Sequence, residues 1–377
     1  MKDTYSFGFL FLDEIHHINH FITVAAELSK SHRVHILSYP DKHSYLIRRL
    51  REVGGDQVVV EMLKTHPFRA LTDRIKNRKH PRKGFWMKYN RNYLLSEFDA
   101  LIFTDYIHHK LLKYRGDDPK PAFIKFPHGL AGRAYGYKKD LLDFDLHLIY
   151  GSLFYENLKE KNLLGNKTVL VGSTKLDAVQ TVNTPQLFPS KKPIILYNPH
   201  FGTPHSSWHE HGLNILDYFK NQTKYNLIFA PHINLFNKVG LATDRSFVKE
   251  YEASPHIFID LGSDACVDMV YPNMADIYIG DVSSQSYEFM LNPKPCIFIN
   301  TEKIDYKENP FYPFWQAGQV IEDMSDLSTA LENAEKTLPN YIQAQQHLTE
   351  VSMARLSGKS ATERAAAEII KLVETLK

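Results

Sequence analysis

The chain has 377 residues, 43% apolar and 23% charged, with a formal net charge of +2. Eighteen glycines and 19 prolines are too few for a collagen-like or low-complexity chain, so the composition is that of a globular protein. Its two cysteines, Cys266 and Cys296, exclude a disulfide scaffold and a four-cysteine zinc site. At about 150 residues per domain, two domains of similar size are expected.

In chain order, residues 5–12 (YSFGFLFL), 33–38 (RVHILS), 57–61 (QVVVE), 100–104 (ALIFT), 122–126 (AFIKF) and 147–150 are short, apolar and β-rich. Between the first two, Ile18, Phe21, Ile22, Ala25 and Leu28 recur at helical spacing. This alternation predicts crossover units and a parallel sheet. The first apolar run is broken by Asp13 and Glu14 and is not a cleavable leader, and no run of 18 apolar residues exists to cross a membrane. A cytoplasmic protein is the expectation.

Charge is unevenly placed. Residues 64–93 hold ten Lys or Arg against one acid, so the rest of the chain is net acidic. The stretch is interleaved with Phe68, Phe85, Trp86, Met87, Tyr89 and Tyr93. Basic residues mixed with interfacial aromatics suit an anionic membrane surface or a polyanion. Arg78, Lys79, Arg82 and Lys83 are the predicted contacts, which would make the protein peripheral on the inner face of the membrane. No nucleic-acid motif accompanies the charge, and no nucleic acid is expected.

A polar, proline-containing stretch at 181–193 (TVNTPQLFPSKKP) reads as a linker between an N-terminal domain, 1–180, and a C-terminal domain with final helices, 194–377. Beyond it come strand-like runs at 194–198, 227–230, 257–260, 277–280 and 296–300. The fold class is therefore α/β, with two doubly wound Rossmann-like domains facing a cleft. Ser360 to Glu363 forms a capping box that opens the last helix. Gly358-Lys359-Ser360 mimics the end of a phosphate loop, but the required first glycine is Met353.

The chemistry gathers where strands end. After the run 277–280 come Asp281, Ser283 and Ser284, then a helix predicted to reach about residue 291. Exposed backbone N–H groups at such a turn suit phosphate. Glu288 lies one turn beyond Ser284, placed to accept from ribose hydroxyls; Asp281 and Ser283 can equally be helix caps. Among 19 histidines, His128 follows the strand at 122–126, and His232 follows the strand at 227–230. His16, His17 and His20 follow the first strand, and His200 follows the strand at 194–198. Histidine is the natural base for an acceptor hydroxyl. His16 and His20 share a helical spacing but no HExxH pattern, so no metal is predicted.

These pieces resemble the CDP-glycerol glycerophosphotransferases that build teichoic acid and capsule polymers, enzymes of the GT-B type. His128-Gly129 is similar to the family's His-Gly after an N-domain strand. His232 stands at its Lys-x-His-Pro, though Ile233 replaces the proline. Asp281-Val282-Ser283-Ser284 with Glu288 resembles its Asp-Tyr-Ser-Ser and following acid, and residues 358–364 resemble its C-terminal Gly-Lys-Ala-Ser-Glu-Arg. Its Pro-Thr-Trp-Arg is replaced by Asn198-Pro199-His200-Phe201, without arginine.

The resemblance implies a transferase acting on a nucleotide donor, CDP-polyol or NDP-sugar, and a glycan or lipid-linked hydroxyl acceptor, without a certain cofactor. Asp281, Ser283, Ser284 and Glu288 would form the donor site, with Ser283, Ser284 and His232 holding the phosphates, Glu288 the ribose, and His232 also stabilising the departing nucleotide as a catalytic residue. His128 would be the base, and His16, His17, His20 and His200 further acceptor or phosphate contacts. A non-hydrolysing UDP-sugar 2-epimerase shares the architecture but expects Asp-Ser-Gly-Gly at 281–284. The third reading is a GT-B-like binding protein without turnover.

Overall fold

Strands of three to six residues, buried on both faces, can build only a sheet that is covered on both sides. The computed structural model describes residues 4–12, 14–78, 80–127, 137–179, 184–203, 205–237, 244–309, 312–354 and 356–376. The chain divides into two compact units, residues 1–181 with 352–377, and residues 182–351.

The first unit begins with β1 (Ser6–Leu10), α1 (Ile18–Ser29), β2 (Arg33–Ser38), α2 (Ser44–Glu52) and β3 (Val59–Met62). Two helices, α3 (Pro67–Ile75) and α4 (Lys83–Ser96), lead to β4 (Ala100–Phe103), α5 (His109–Arg115) and β5 (Ala122–Lys125). Then follow β6 (Leu146–Ile149), α6 (Ser152–Glu160), β7 (Thr168–Leu170) and α7 (Thr174–Val179). The seven strands are parallel in the order β3-β2-β1-β4-β5-β6-β7. Trp86, Met87 and Leu94 of α4 pack with Leu10, Leu37 and Phe103 in its core.

The second unit runs β8 (Ile194–Asn198), α8 (Trp208–Lys220), β9 (Asn226–Phe229), α9 (Asn234–Asn237), α10 (Val248–Glu252) and β10 (Ile257–Ile259). It continues with α11 (Val270–Met274), β11 (Ile277–Gly280), α12 (Gln285–Phe289), β12 (Cys296–Ile299) and β13 (Gln319–Ile321). Helices α13 (Leu327–Glu332), α14 (Ala334–Thr337) and α15 (Ile342–Met353) close the series before α16 (Ala361–Thr375). The six strands are parallel in the order β10-β9-β8-β11-β12-β13. The three-residue strands β7 and β13 were not foreseen, being too short to stand out as apolar runs. Residues 184–193, within the expected linker, carry no helix or strand.

The final helices were expected with the second domain, but residues 352–377 fold with the first. The reason is a set of contacts distant in sequence. Arg364 donates from Nε to the Val171 carbonyl at 2.8 Å, Asp177 accepts from the Thr362 N–H at 2.8 Å, and Lys167 pairs with Glu368 at 2.7 Å. Gly172, at φ +83°, makes this docking feasible, since a Cβ there would stand 2.7 Å from the Ala354 carbonyl oxygen. The capping box forms as expected, with Ser360 and Glu363 exchanging side-chain-to-backbone bonds of 3.1 and 2.7 Å.

Two histidines of this unit, one buried and one half-buried, stay neutral well below pH 6.5. His147 on β6 is 3% exposed, and Nδ1 has no hydrogen-bond partner among the described residues. Burial, helped by the nearby Lys125 ammonium, pulls its pKa down to about 3. Burial also lowers His16 to about 4, against the pull of Glu14. The unfolded chain takes up protons at these rings near pH 6.5 and the folded one only well below it. The stability they confer is thus present above pH 6.5 and lost as pH falls toward 4 and 3. Replacing His147 with phenylalanine should move the melting-temperature difference between variant and wild type in the variant's favour between pH 7 and pH 4. Calorimetry at several pH values checks this; a difference independent of pH would refute it.

Candidate functional site

In an open parallel sheet, ligands bind beyond the carboxyl ends of the strands where the strand order reverses. In the second unit that point lies between β8 and β11. Asp281, directly after β11, is 1% exposed there. Its carboxylate accepts from the backbone N–H of His200 at 2.9 Å, of Ser207 at 2.7 Å and of Val282 at 2.6 Å, and from the Ser207 hydroxyl at 2.9 Å. Burial nevertheless holds its pKa above the usual carboxylate value, the four donors opposing that rise. The Trp315 indole donates to the Asp281 carbonyl at 2.7 Å. Asp281 therefore ties the loop after β8, the start of α8 and the loop after β11 together. It positions these loops, with its carboxylate occupied by donors of the protein itself.

Gly280 permits this crowding. A Cβ there would fall 2.5 Å from the Tyr278 hydroxyl, which donates to the Asn198 side-chain oxygen at 3.2 Å. Asn198 in turn donates to the Ala230 carbonyl at 2.6 Å, joining the ends of β8 and β9.

The two serines after Asp281 part company. Ser283 is buried, and its oxygen accepts from the N–H of Gln285, the first residue of α12, at 3.3 Å. Ser284 is exposed at the N-cap position, just before α12. The helix stops at Phe289 rather than near 291, and Glu288, 8% exposed, lies in its last turn.

The structure brings together two histidines that the sequence only placed at separate strand ends. His200 and His232 have ring centroids 5.4 Å apart, with Phe201 4.3 Å from the first and 4.6 Å from the second. His200 Nδ1 accepts from the Gly202 N–H at 3.0 Å, and His232 Nδ1 accepts from the Asn234 N–H at 3.2 Å. An acceptor nitrogen carries no proton, so in both rings the neutral tautomer holds its hydrogen on Nε2. Both rings are hydrogen-bond donors at Nε2, the polarity that a phosphate oxygen requires.

The first unit has its own switch point, between β1 and β4. His17 Nδ1 lies 3.1 Å from the Thr104 hydroxyl, spanning it. His20 Nδ1 lies 2.7 Å from the Tyr150 hydroxyl, which donates to the Pro127 carbonyl at 3.0 Å. The His20 ring also stacks on the Tyr150 ring, with centroids 5.7 Å apart. Beside the turn at Ile15, a cavity of about 260 Å³ is lined by Phe11, Tyr39, His43, Ser44, Tyr45 and His80 among others. His128, one residue past Pro127, lies outside the described residues, as do Gly129 and Lys79. Among the described residues, no three His, Cys, Asp or Glu side chains gather to hold a metal, and no helix is long and apolar enough to cross a membrane.

The profile of the family described as CDP-Glycerol:Poly(glycerophosphate) glycerophosphotransferase matches residues 167–371, just over half of the chain. The chain belongs to that family. It is a transferase that uses a nucleotide-activated donor in cell-surface polymer synthesis. The matched part of this glycerophosphotransferase contains the whole strand series β8 to β13 and every donor-side residue described above, whereas His16, His17, His20 and His128 precede it.

No curated protein matches the chain. Among solved structures, a histidine-to-alanine variant of the wall teichoic acid polymerase TagF is similar over 100% of this chain and 91% of that one, with 16% identity and a TM-score of 0.62. UDP-GlcNAc 2-epimerase from Neisseria meningitidis is similar over 98% and 100%, with 12% identity and a TM-score of 0.59. The calicheamicin glycosyltransferase CalG4 is similar over 99% of both chains, with 11% identity and a TM-score of 0.56. At such identities these likenesses establish the fold, which is GT-B.

The Asp281 carboxylate faces four donors, so replacing one of its oxygens with an amide NH2 sets donor against donor. Asp281→Asn should therefore destabilise the second unit of the glycerophosphotransferase by about 3 kcal/mol. For a unit of this size that is a fall of about 6–12 °C in melting temperature. An unchanged melt, with unchanged donor affinity, would remove Asp281 from this organising position.

Proposed function

We propose that the protein transfers glycerol phosphate or ribitol phosphate from a CDP-linked donor to a hydroxyl of a glycan or lipid-linked acceptor, in the synthesis of teichoic acid or a capsule polymer. It works in the cytoplasm as a peripheral protein at the inner face of the cell membrane. The observation that carries the donor side is the pair of neutral histidines, His200 and His232, with Nε2–H donors at adjacent strand ends. Where the family's Pro-Thr-Trp-Arg is replaced by a stretch without arginine, two such donors supply phosphate hydrogen bonds. Ser284, exposed at the start of α12, adds a hydroxyl and backbone N–H, and Glu288 accepts from the ribose. Asp281 and Ser283 hold this loop in shape.

In the reaction, the acceptor oxygen attacks the β-phosphorus of the donor and forms a new O–P bond. The bond from that phosphorus to the bridging oxygen breaks, and CMP leaves with the electron pair. His128 takes the acceptor proton, and charge on the departing CMP is stabilised by His200, His232 and the donors around Ser284. With a nucleotide sugar the same parts would serve attack at the anomeric carbon.

Incubation with CDP-glycerol, CDP-ribitol and UDP-sugars, with and without a glycan acceptor, tests the proposal. Acceptor-dependent CMP release is expected. UDP release would move the reaction to glycosyl transfer, and an epimerised UDP-sugar would overturn it. His128→Ala should lower kcat about 10²- to 10⁴-fold with donor affinity kept within a few-fold. His200→Ala and His232→Ala should instead weaken CDP-donor affinity about ten- to a hundredfold each, by calorimetric titration. Because the rings touch, the double substitution should cost less than the two losses combined. Wild-type affinity in both single variants would take the histidines out of the donor site.

A further inference from the structure

The strongest unexplained surface lies on α3 and α4. Three large apolar side chains of α3, Phe68, Leu71 and Ile75, are 60%, 55% and 72% exposed. Their spacing places them along one face of the helix, whose one buried residue is Asp73. A folded surface rarely leaves such a row in water without something to cover it. Beside the row, a cavity of about 460 Å³ opens between the two helices. His66, Arg69, Lys88 and Arg91 line it with Phe68, Phe85, Tyr89 and Asn92, and no carboxylate is among its lining residues. Arg69 is held in place by the Phe85 ring, 4.1 Å from its guanidinium carbon.

The structure also redistributes the charge counted in the sequence. Arg82 and Arg78 face Asp73 at 2.9 and 3.6 Å, and Lys83 pairs with Asp105 at 2.9 Å. Those three, expected to be contacts, are committed within the fold. The cations of the cavity have no such ion pair among the described residues.

We propose that the α3–α4 surface docks on an anionic phospholipid membrane, the cavity seating a headgroup phosphate among Arg69, Lys88 and Arg91 while Phe68, Leu71 and Ile75 enter the acyl boundary. Two weak signals, apolar insertion and basic contact, then combine into reversible attachment. The surface belongs to the first unit and the donor residues to the second. The proposal gives residues to the membrane attachment stated above and does not depend on which group is transferred.

Sedimentation of the full chain with vesicles, in the absence of donor and acceptor, tests it. Binding is expected to vesicles of phosphatidylglycerol mixed with phosphatidylcholine and not to phosphatidylcholine alone, falling steeply between low and high salt. Each basic residue at such a surface contributes about fivefold in partitioning, so Arg69→Gln, Lys88→Gln and Arg91→Gln together should lose about a hundredfold. Ile75→Ser with Phe68→Ser should also weaken binding, whereas Arg82→Gln with Lys83→Gln should do much less. None of the substituted side chains is buried, and circular dichroism melts verify folding. Nucleotide release with a soluble acceptor should stay at the wild-type level in these variants, which separates failure here from failure of the transferase reading. Equal binding to both vesicle types, or wild-type binding by the triple variant, would overturn the proposal. So would displacement by millimolar glycerol phosphate, which marks a site for soluble phosphates, or a concentration-dependent dimer abolished by Ile75→Ser.

Discussion

A carboxylate buried where strand order reverses is costly unless every oxygen is hydrogen-bonded, and Asp281 meets that condition with four donors drawn from two loops and a helix start. The requirement works in both directions. The loops give the anion its donors, and the anion dictates where His200, Ser207 and Val282 lie. Once those are set, Asn198 and Tyr278 join the ends of β8, β9 and β11, and His232 comes beside His200. In the first unit the switch point is bridged instead by His17 and the Thr104 hydroxyl, 3.1 Å apart.

The histidines show how backbone geometry assigns chemistry to a side chain. Where an N–H two residues on points at Nδ1, as at Gly202 and Asn234, protonation of that nitrogen would set donor against donor. The ring stays neutral and donates from Nε2. His16 is held differently, because desolvation keeps its ring neutral down to about pH 4.

Surface charge follows the same lesson. Ten cations in thirty residues read as one uniform basic stretch. Folding sorts them, since Asp73 and Asp105 take three, while Arg69, Lys88 and Arg91 line the cavity beside an exposed apolar row. Neighbouring positions along the chain can differ, since Arg82 pairs with the buried Asp73 while Lys88 lines the open cavity.

Local pattern was enough for the parallel α/β class, for most strands and for the Ser360–Glu363 cap, because apolar runs, helical spacing and capping act over a few residues. It was also enough for the strand-end positions of Asp281, His200 and His232, since in a doubly wound sheet chemistry collects after strands. Contacts between distant residues were decided only by the tertiary structure. The pairing of His200 with His232 depends on β8 and β9 being neighbours. The inward turn of Ser283 depends on its hydrogen bond from Gln285, and the tautomers depend on backbone N–H groups that no sequence pattern reveals. The return of α16 to the first unit rests on Arg364, Thr362 and Glu368 meeting partners almost 200 residues away — a choice made by packing, which a one-dimensional reading of linker and domain length does not contain.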